Sequence, residues 1–272
     1  MDASTLLGLI AGLGLVAFAI FAQHGEMDAF LNGPAFMLVM GGTLAATLVN
    51  YPIKSVFAIF KVVKRAFMPQ QVDYAAIISK MTELATKVRS KGIVSLESDL
   101  PSIEDEFLRD GIELAINERN ADRLRSRLQM EISNMERRHT MGQELFFYMG
   151  MYAPAFGLMG TVLGLIIMMH SFQTDPNEFA GLGVDVGMKY AQLLRAMGLA
   201  LVTTFYGVLF ANLVFIPIAG KLKRATDEEI MLKDLMVEGI MSLHAKEHPL
   251  LLEGKLITFL PARERKVNED NR

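Results

Sequence analysis

The sequence predicts an all-α membrane protein: four transmembrane helices, a helical cytoplasmic domain between the second and third, and a cytoplasmic C-terminal helix. Three observations carry that prediction. Apolar residues make up 51% of the chain, and they gather into four blocks separated by charged stretches. Each block approaches the ~20 apolar residues that a helix needs to cross the hydrocarbon core. The cations cluster on alternate connections only, as the positive-inside rule requires of a multi-pass protein.

The blocks lie at residues 5–22, 34–49, 145–171 and 193–219. The second is short, whereas the last two are long enough to project beyond the bilayer as helix. Met1-Asp2-Ala3-Ser4 lacks the basic n-region of a signal peptide, so the first block is expected to persist as an anchor. Lys54, Lys61, Lys64 and Arg65 follow the second block. Arg137 and Arg138 precede the third, and Lys221, Lys223 and Arg224 follow the fourth. The connection 23–33 has no cation, and 172–189 has only Lys189 at its edge. Both termini and the large loop are therefore expected in the cytoplasm.

This divides the chain into a membrane hairpin at 1–50, a cytoplasmic helical domain at 51–143, a second hairpin at 144–220 and a C-terminal helix with tail at 221–272. In the loop, Ile53, Val56, Phe57, Phe60, Val63 and Phe67 form an apolar stripe opposite Lys54, Lys61, Lys64 and Arg65. That pattern suits a helix lying on the membrane surface, ended by Pro69. A second helix is expected from Tyr74 to Arg89, stopped near Gly92. Pro101-Ser102 with Asp105 resembles a helix start, and Asn120 is a candidate cap for a helix leading into the third span. Thr226 with Glu229 reads as a capping box ahead of Ile230, Met231, Leu235, Met236 and Ile240. The charged tail from Ala262 has no apolar face and is expected to be disordered.

Several functions are excluded or unsupported. Without a cysteine there is no disulfide, zinc-thiolate site or thiol nucleophile. A net charge of −3 with no basic cluster interleaved with aromatics argues against nucleic acid. The five histidines form no pair with a carboxylate at metal spacing, and the 19 methionines read as packing material. No glycine loop leads into Lys-Ser or Lys-Thr, so the chain lacks the parts of a self-contained ATPase. No enzymatic centre, metal or cofactor is expected.

The membrane segments are informative for what they lack. No Asp, Glu or Lys lies inside any block; Arg195 and His170 sit near the outer ends of the fourth and third. Ion pathways through membranes usually use a buried carboxylate. This chain offers only Thr161, Thr203, Thr204, Tyr206 and Asn212, groups that complete a coordination shell without carrying the charge. The third block also has a ladder of small residues, Ala153, Gly157, Gly160, Thr161 and Gly164, and the fourth has Ala196, Ala200, Gly207 and Ala211. Small residues at this spacing let helix backbones approach closely. The pattern is that of a scaffold whose acid comes from a partner helix.

The run Ala153-Pro154-Ala155-Phe156-Gly157-Leu158-Met159-Gly160-Thr161-Val162-Leu163-Gly164 resembles the third-helix signature of the MotA/TolQ/ExbB superfamily. Leu201-Val202-Thr203-Thr204-Phe205-Tyr206-Gly207 and Asn212-Leu213-Val214-Phe215-Ile216-Pro217-Ile218-Ala219 resemble its MotA branch, PomA-like members especially. The stretch from Glu238-Gly239-Ile240 to Pro249 does so too. The four-span layout agrees, since TolQ and ExbB typically have three spans.

The resemblance implies a flagellar stator subunit of the bacterial inner membrane. Five such chains would ring two copies of a single-span MotB- or PomB-like partner, whose Asp binds the transported Na+ or H+. The cytoplasmic domain would push on the rotor protein FliG through Arg89 and Glu97, with Lys91 and Asp99 as neighbouring charges. Thr161 and Thr204 correspond to threonines near the partner's acid, with Thr203 beside them. Pro154 and Pro217 correspond to helix-bending prolines that couple ion passage to movement. Hydroxyls on both later spans favour sodium, although a hydroxyl also lines proton paths. In an anonymous chain the threonines would only back-bond to their own helices, and Arg89 and Glu97 would be solvated surface charges. Two other functions compete: a TolQ/ExbB-like energy transducer for the outer membrane, and a secondary transporter with its own midplane site.

Overall fold

A computed structural model describes residues 3–25, 27–56, 74–172 and 186–260. Helices account for almost all of them, with no strand among the described residues. In chain order they are α1 (Ala3–Ala22), α2 (Gly33–Phe36), a π-helical stretch (Met37–Gly41), α3 (Gly42–Asn50), α4 (Tyr74–Lys91) and α5 (Glu106–Asn117). Then follow α6 (Ala121–Phe172), α7 (Val186–Phe210), a second π stretch (Ala211–Phe215), α8 (Ile216–His244) and α9 (Pro249–Ile257). Four helical runs are long and apolar enough to cross a membrane: Ser4–Ala22, Met27–Asn50, Ala121–His170 and Leu193–His244. The last two greatly exceed a bilayer's thickness, because the membrane blocks continue without interruption into charged helix. Of the surface helix expected at 53–67, residues 57–67 lie outside the described residues, as does the tail from Pro261.

The chain divides into two compact units, Met1–Pro69 with Met141–Lys223, and Gln70–Thr140 with Arg224–Arg272. The first contains the membrane blocks. Its core is Ala35, Val39, Leu145, Phe146, Met149, Ala153, Val202, Tyr206, Ala211 and Phe215. None of the first span's apolar window is buried within the chain. That span touches its unit at Gly12, where an added Cβ would lie 2.8 Å from Leu213. Near its start, the Lys221 ammonium donates to the Thr5 hydroxyl. The first turn of span one and the exit of span four therefore lie at the same level, as an even number of crossings demands.

The second unit packs its helices around one apolar core. On α4 the buried residues Ile78, Met81, Leu84, Ala85 and Val88 recur at helical spacing, so one stripe faces inward. Gly92, at φ +83°, ends this helix, a left-handed conformation that glycine adopts without Cβ strain. Asp105 caps α5 by accepting from the Leu108 N–H at 2.8 Å. Pro101 and Ser102 do not begin that helix; they occupy a separate 3-10 turn, Leu100–Ser102, and the chain is extended at Ile103. Asn120 caps α6 by accepting from the N–H groups of Asp122 and Arg123 at 2.9 and 3.1 Å.

Thr226 and Glu229 form no capping box. Both lie inside α8, whose turns continue from the fourth span, so there are no orphan N–H groups to satisfy. Thr226 is buried, and the Glu229 carboxylate instead faces His139 at 3.7 Å. Ile240 of α8 reaches the surface of α5 at Gly111, where a Cβ would lie 2.5 Å from its Cδ1. Met81 of α4 packs on Gly239 in the same way, its Sδ 3.0 Å from where a Cβ would stand. Arg125 bridges α6 to Glu238 of α8 at 2.6 Å, and α9 buries Leu252 and Leu256 in the same core.

Lys255 donates to Glu247 at 2.7 Å and holds its carboxyl below the ordinary glutamate value. A carboxylate with a depressed folded-state pKa adds stability that is present above its unfolded pKa and is lost as pH falls through the folded value. Glu247→Gln should therefore lower the thermal midpoint at neutral pH. The effect should be less than about 1 kcal/mol, because Lys255 is 52% exposed. Thermal scans of purified wild type and variant should differ at pH 7 and converge once the pH is below the depressed value.

Candidate functional site

The third and fourth spans meet along a seam of small residues. A Cβ on Gly157 would lie 2.9 Å from the Thr203 carbonyl oxygen and 3.1 Å from the Thr204 Cα. One on Gly160 would fall 2.4–2.6 Å from the Thr203 side chain. One on Gly164 would lie 2.8 Å from the Ala200 Cβ. The fourth span answers with Gly207, where a Cβ would be 2.6 Å from the Ala153 carbonyl oxygen and 3.0 Å from the Pro154 Cα. Backbone lies against backbone here, and any larger side chain would force the helices apart.

The three threonines are placed by this seam in different ways. Thr203 is fully buried in the notch left by Gly160, and its hydroxyl donates to the Ala200 carbonyl at 2.7 Å. Thr204 is partly exposed and donates across to the Gly157 carbonyl of the third span at 3.3 Å. Thr161 is also partly exposed, and its hydroxyl donates back to Leu158 at 2.6 Å. Each hydroxyl spends its proton on a helix carbonyl, which leaves oxygen lone pairs as the chemistry still available. At Thr161 and Thr204 that oxygen belongs to a side chain with exposed surface; at Thr203 it does not.

Pro154 and Pro217 sit in contrasting surroundings. α6 runs through Pro154 without interruption. Pro217 is separated by one residue, Ile216, from the π stretch Ala211–Phe215, whose wider turns accommodate a residue that has no N–H to donate. Gly150, four residues before Pro154, lies against Ile216, next to Pro217. The two prolines therefore flank one contact between the third and fourth spans.

Arg89 and Lys91 end α4, and Glu97 follows the 3-10 turn Ile93–Leu96; all three are exposed. Asp99 differs, since Lys87 holds it at 2.6 Å. Sequence reasoning missed Lys87, whose spacing from Asp99 gives no helical signal. It also missed Thr43 and Thr47 of span two. Both are fully buried and donate to the Val39 and Thr43 carbonyls at 2.6 and 2.7 Å. Their four-residue spacing is the signal that was there to read. Two polar groups read as possible ion ligands are otherwise engaged: Asn212 donates to the Val208 carbonyl at 2.9 Å, and the Tyr206 hydroxyl bonds backbone atoms near span two. His170 lies in an apolar groove with Val162, Leu165, Ile166 and Met169. Among the described residues, no group of three His, Asp or Glu side chains is placed to hold a metal.

This geometry can be set beside known proteins. The pattern of the MotA/TolQ/ExbB proton channel family matches residues 99–234, half of the chain. The chain belongs to that family. A second pattern, Motility protein A N-terminal, matches residues 6–92 and so covers the first two spans that this family pattern leaves out. The chemotaxis protein PomA of Vibrio alginolyticus is 30% identical, over 99% of this chain and 100% of its own. The uncharacterized protein YtxD of Bacillus subtilis is 34% identical, over 95% of this chain and 90% of its own. The structure of the flagellar MotAB stator complex from Bacillus subtilis contains a chain with TM-score 0.82 and 27% identity, covering 97% of this chain and 98% of that one. This member of the MotA/TolQ/ExbB family thus shares the four-span organisation over its full length.

The seam makes a graded prediction. Gly207→Ala should destabilise the protein by about 1–3 kcal/mol, the usual effect of forcing a side chain into a packed contact. Gly198→Ala, on the same helix where nothing lies within 4 Å of an added Cβ, should be neutral or slightly stabilising. Thermal unfolding of the detergent-purified variants checks both.

Proposed function

We propose that this chain is the four-span subunit of an ion-driven flagellar stator, which with a MotB- or PomB-like partner couples ion flow to rotation. The observation that carries the reading is a close-packed seam between spans three and four, lined with hydroxyls and lacking any carboxylate. Such a channel is completed by an acid from outside the chain, and MotAB complexes, which the fold matches, contain that second protein. The match of residues 6–92 to the Motility protein A N-terminal pattern favours a stator over an outer-membrane energy transducer.

In this reading Thr161 and Thr204 present hydroxyl oxygens to the partner's aspartate and its ion, while Thr203 braces the seam against Gly160. Pro154 and Pro217 flank the contact that shifts when the ion binds or leaves. Both termini and the helical unit face the cytoplasm, as the distribution of Lys and Arg supports. There Arg89, Lys91 and Glu97 meet the rotor protein FliG, and Asp99 is drawn back by Lys87. Five copies around two partner helices form the motor in the inner membrane. Sodium is the favoured ion, because hydroxyl and carbonyl oxygens suit a hard cation.

Swimming motility tests this directly. Deletion of the gene, in a host without a second stator, should leave flagella assembled but paralysed, and wild type should restore swimming at a speed set by sodium. Arg89→Glu and Glu97→Lys should each reduce swimming and partly compensate when combined with opposite charge changes on the rotor. Thr204→Val should raise the sodium concentration needed for half-maximal speed by about tenfold, as expected for loss of one ligand to a charged species. Normal swimming after deletion would remove the assignment.

A further inference from the structure

The outer turn between spans one and two ends in two backbone groups that no helix satisfies. The Phe30 carbonyl closes the 3-10 turn Met27–Phe30, and the Asn32 N–H precedes the first turn of α2. In an apolar environment such groups need another partner. Both find it in one atom from the other end of the chain. The Tyr206 hydroxyl donates to the Phe30 carbonyl and accepts from the Asn32 N–H at 3.1 Å. Tyr206 is only 8% exposed, so its hydroxyl is largely committed to these two backbone partners. Rings reinforce the clasp: Phe30 meets Phe205 edge-on at 5.6 Å, and Phe36 meets Tyr206 and Phe210 at 6.2 and 5.8 Å.

The placement of Tyr206 on its helix gives this clasp a role. Thr203 and Gly207 lie one turn apart on the line that contacts the third span. At 100° per residue, Thr204 falls to one side of that line and Tyr206 to the other. The seam holds the fourth span along one line only, through Thr203 and Gly207, so contacts on either side of that line decide how far the helix rolls about it. Rolling would move the Thr204 hydroxyl relative to the Gly157 carbonyl, to which it donates at 3.3 Å. A hold on the Tyr206 side opposes that roll.

We propose that Tyr206 is a positioning residue: its hydroxyl locks the outer turn Met27–Asn32 onto the fourth span and so sets the orientation of Thr204 in the ion pathway. This rests on the stator reading above. Tyr206 does not touch the ion; it acts through the turn of helix that carries the threonine.

The test uses Tyr206→Phe, which keeps the ring and removes only the hydroxyl, in the full chain with its partner in cells. Swimming speed is titrated against sodium and against pH, with membrane levels of the protein measured alongside, and Thr204→Val serves as reference. Tyr206→Phe should assemble at wild-type levels, keep its speed at saturating ion, and raise the half-saturating ion concentration about fivefold, the size set by one net hydrogen bond. Adding it to Thr204→Val should produce no further shift. A separate readout uses the absence of native cysteine. Ala35→Cys, at a fully buried position, should resist thiol labelling with Tyr206 present and become labelled with Tyr206→Phe. A lower membrane level with unchanged ion dependence would reduce Tyr206 to a structural residue and overturn the proposal. So would a shift with Thr204→Val but none with Tyr206→Phe. If wild type drives no rotation at all, the stator reading fails instead, and the labelling still reports whether the clasp exists.

Discussion

The close approach of the third and fourth spans at Gly157, Gly160 and Gly207 is the constraint on which the membrane unit depends. Helices in lipid gain little from burying apolar surface against one another, since lipid tails are as apolar as leucine. What holds spans three and four together is close packing that only small residues permit, and the contacts at 2.4–3.3 Å from each added Cβ show how little room remains. That closeness places Thr203 in a notch and brings Thr204 within reach of a carbonyl on the other helix. Large residues at the same positions would leave the Thr204 hydroxyl, like that of Thr203, to bond within its own helix.

A second constraint follows from the backbone's need for partners. Pro217 withdraws one N–H from the helical ladder, and the preceding residues respond with a π stretch. Span two has a comparable stretch at Met37–Gly41, where the Thr43 hydroxyl donates to the Val39 carbonyl. Its neighbour Gly42 accepts the Phe156 ring at a position where a Cβ would lie 2.3 Å away. The wider turns thus occur beside close contacts between spans. Irregular backbone survives in a membrane protein where other protein atoms satisfy it, as the Thr43 hydroxyl does for the Val39 carbonyl.

The helical unit is held by different physics. Its core of Met81, Leu84, Leu96, Ile112, Leu124, Leu235 and Ile240 is fully or almost fully buried, so apolar burial between helices rather than backbone approach holds it together. Its ion pairs lie at the margins, as Arg125 with Glu238 and Lys87 with Asp99, where solvent weakens them. The charges left exposed at Arg89, Lys91 and Glu97 are those that a stable core does not need, which frees them for an external surface.

Much of this was legible in the sequence. Four apolar blocks announced four spans, because block length and bilayer thickness are matched by the fixed rise of a helix. Gly92, Asp105 and Asn120 announced helix ends, because the chemistry of a helix end is local. The same local reasoning failed at Thr226 and Glu229, whose capping pattern lies inside a helix that simply continues from the membrane. A capping signal has meaning only where N–H groups are orphaned, and α8 orphans none there. The small-residue ladder could be read, but not which residue fills which notch, since that depends on the rotation of one helix against another. Only the tertiary structure decided that Thr203 is buried while Thr204 reaches the third span, and that Asp99 belongs to Lys87. It alone decided that the Tyr206 hydroxyl serves a turn more than 170 residues away. Contacts at that separation are set by packing, and packing leaves no periodic trace in a single sequence.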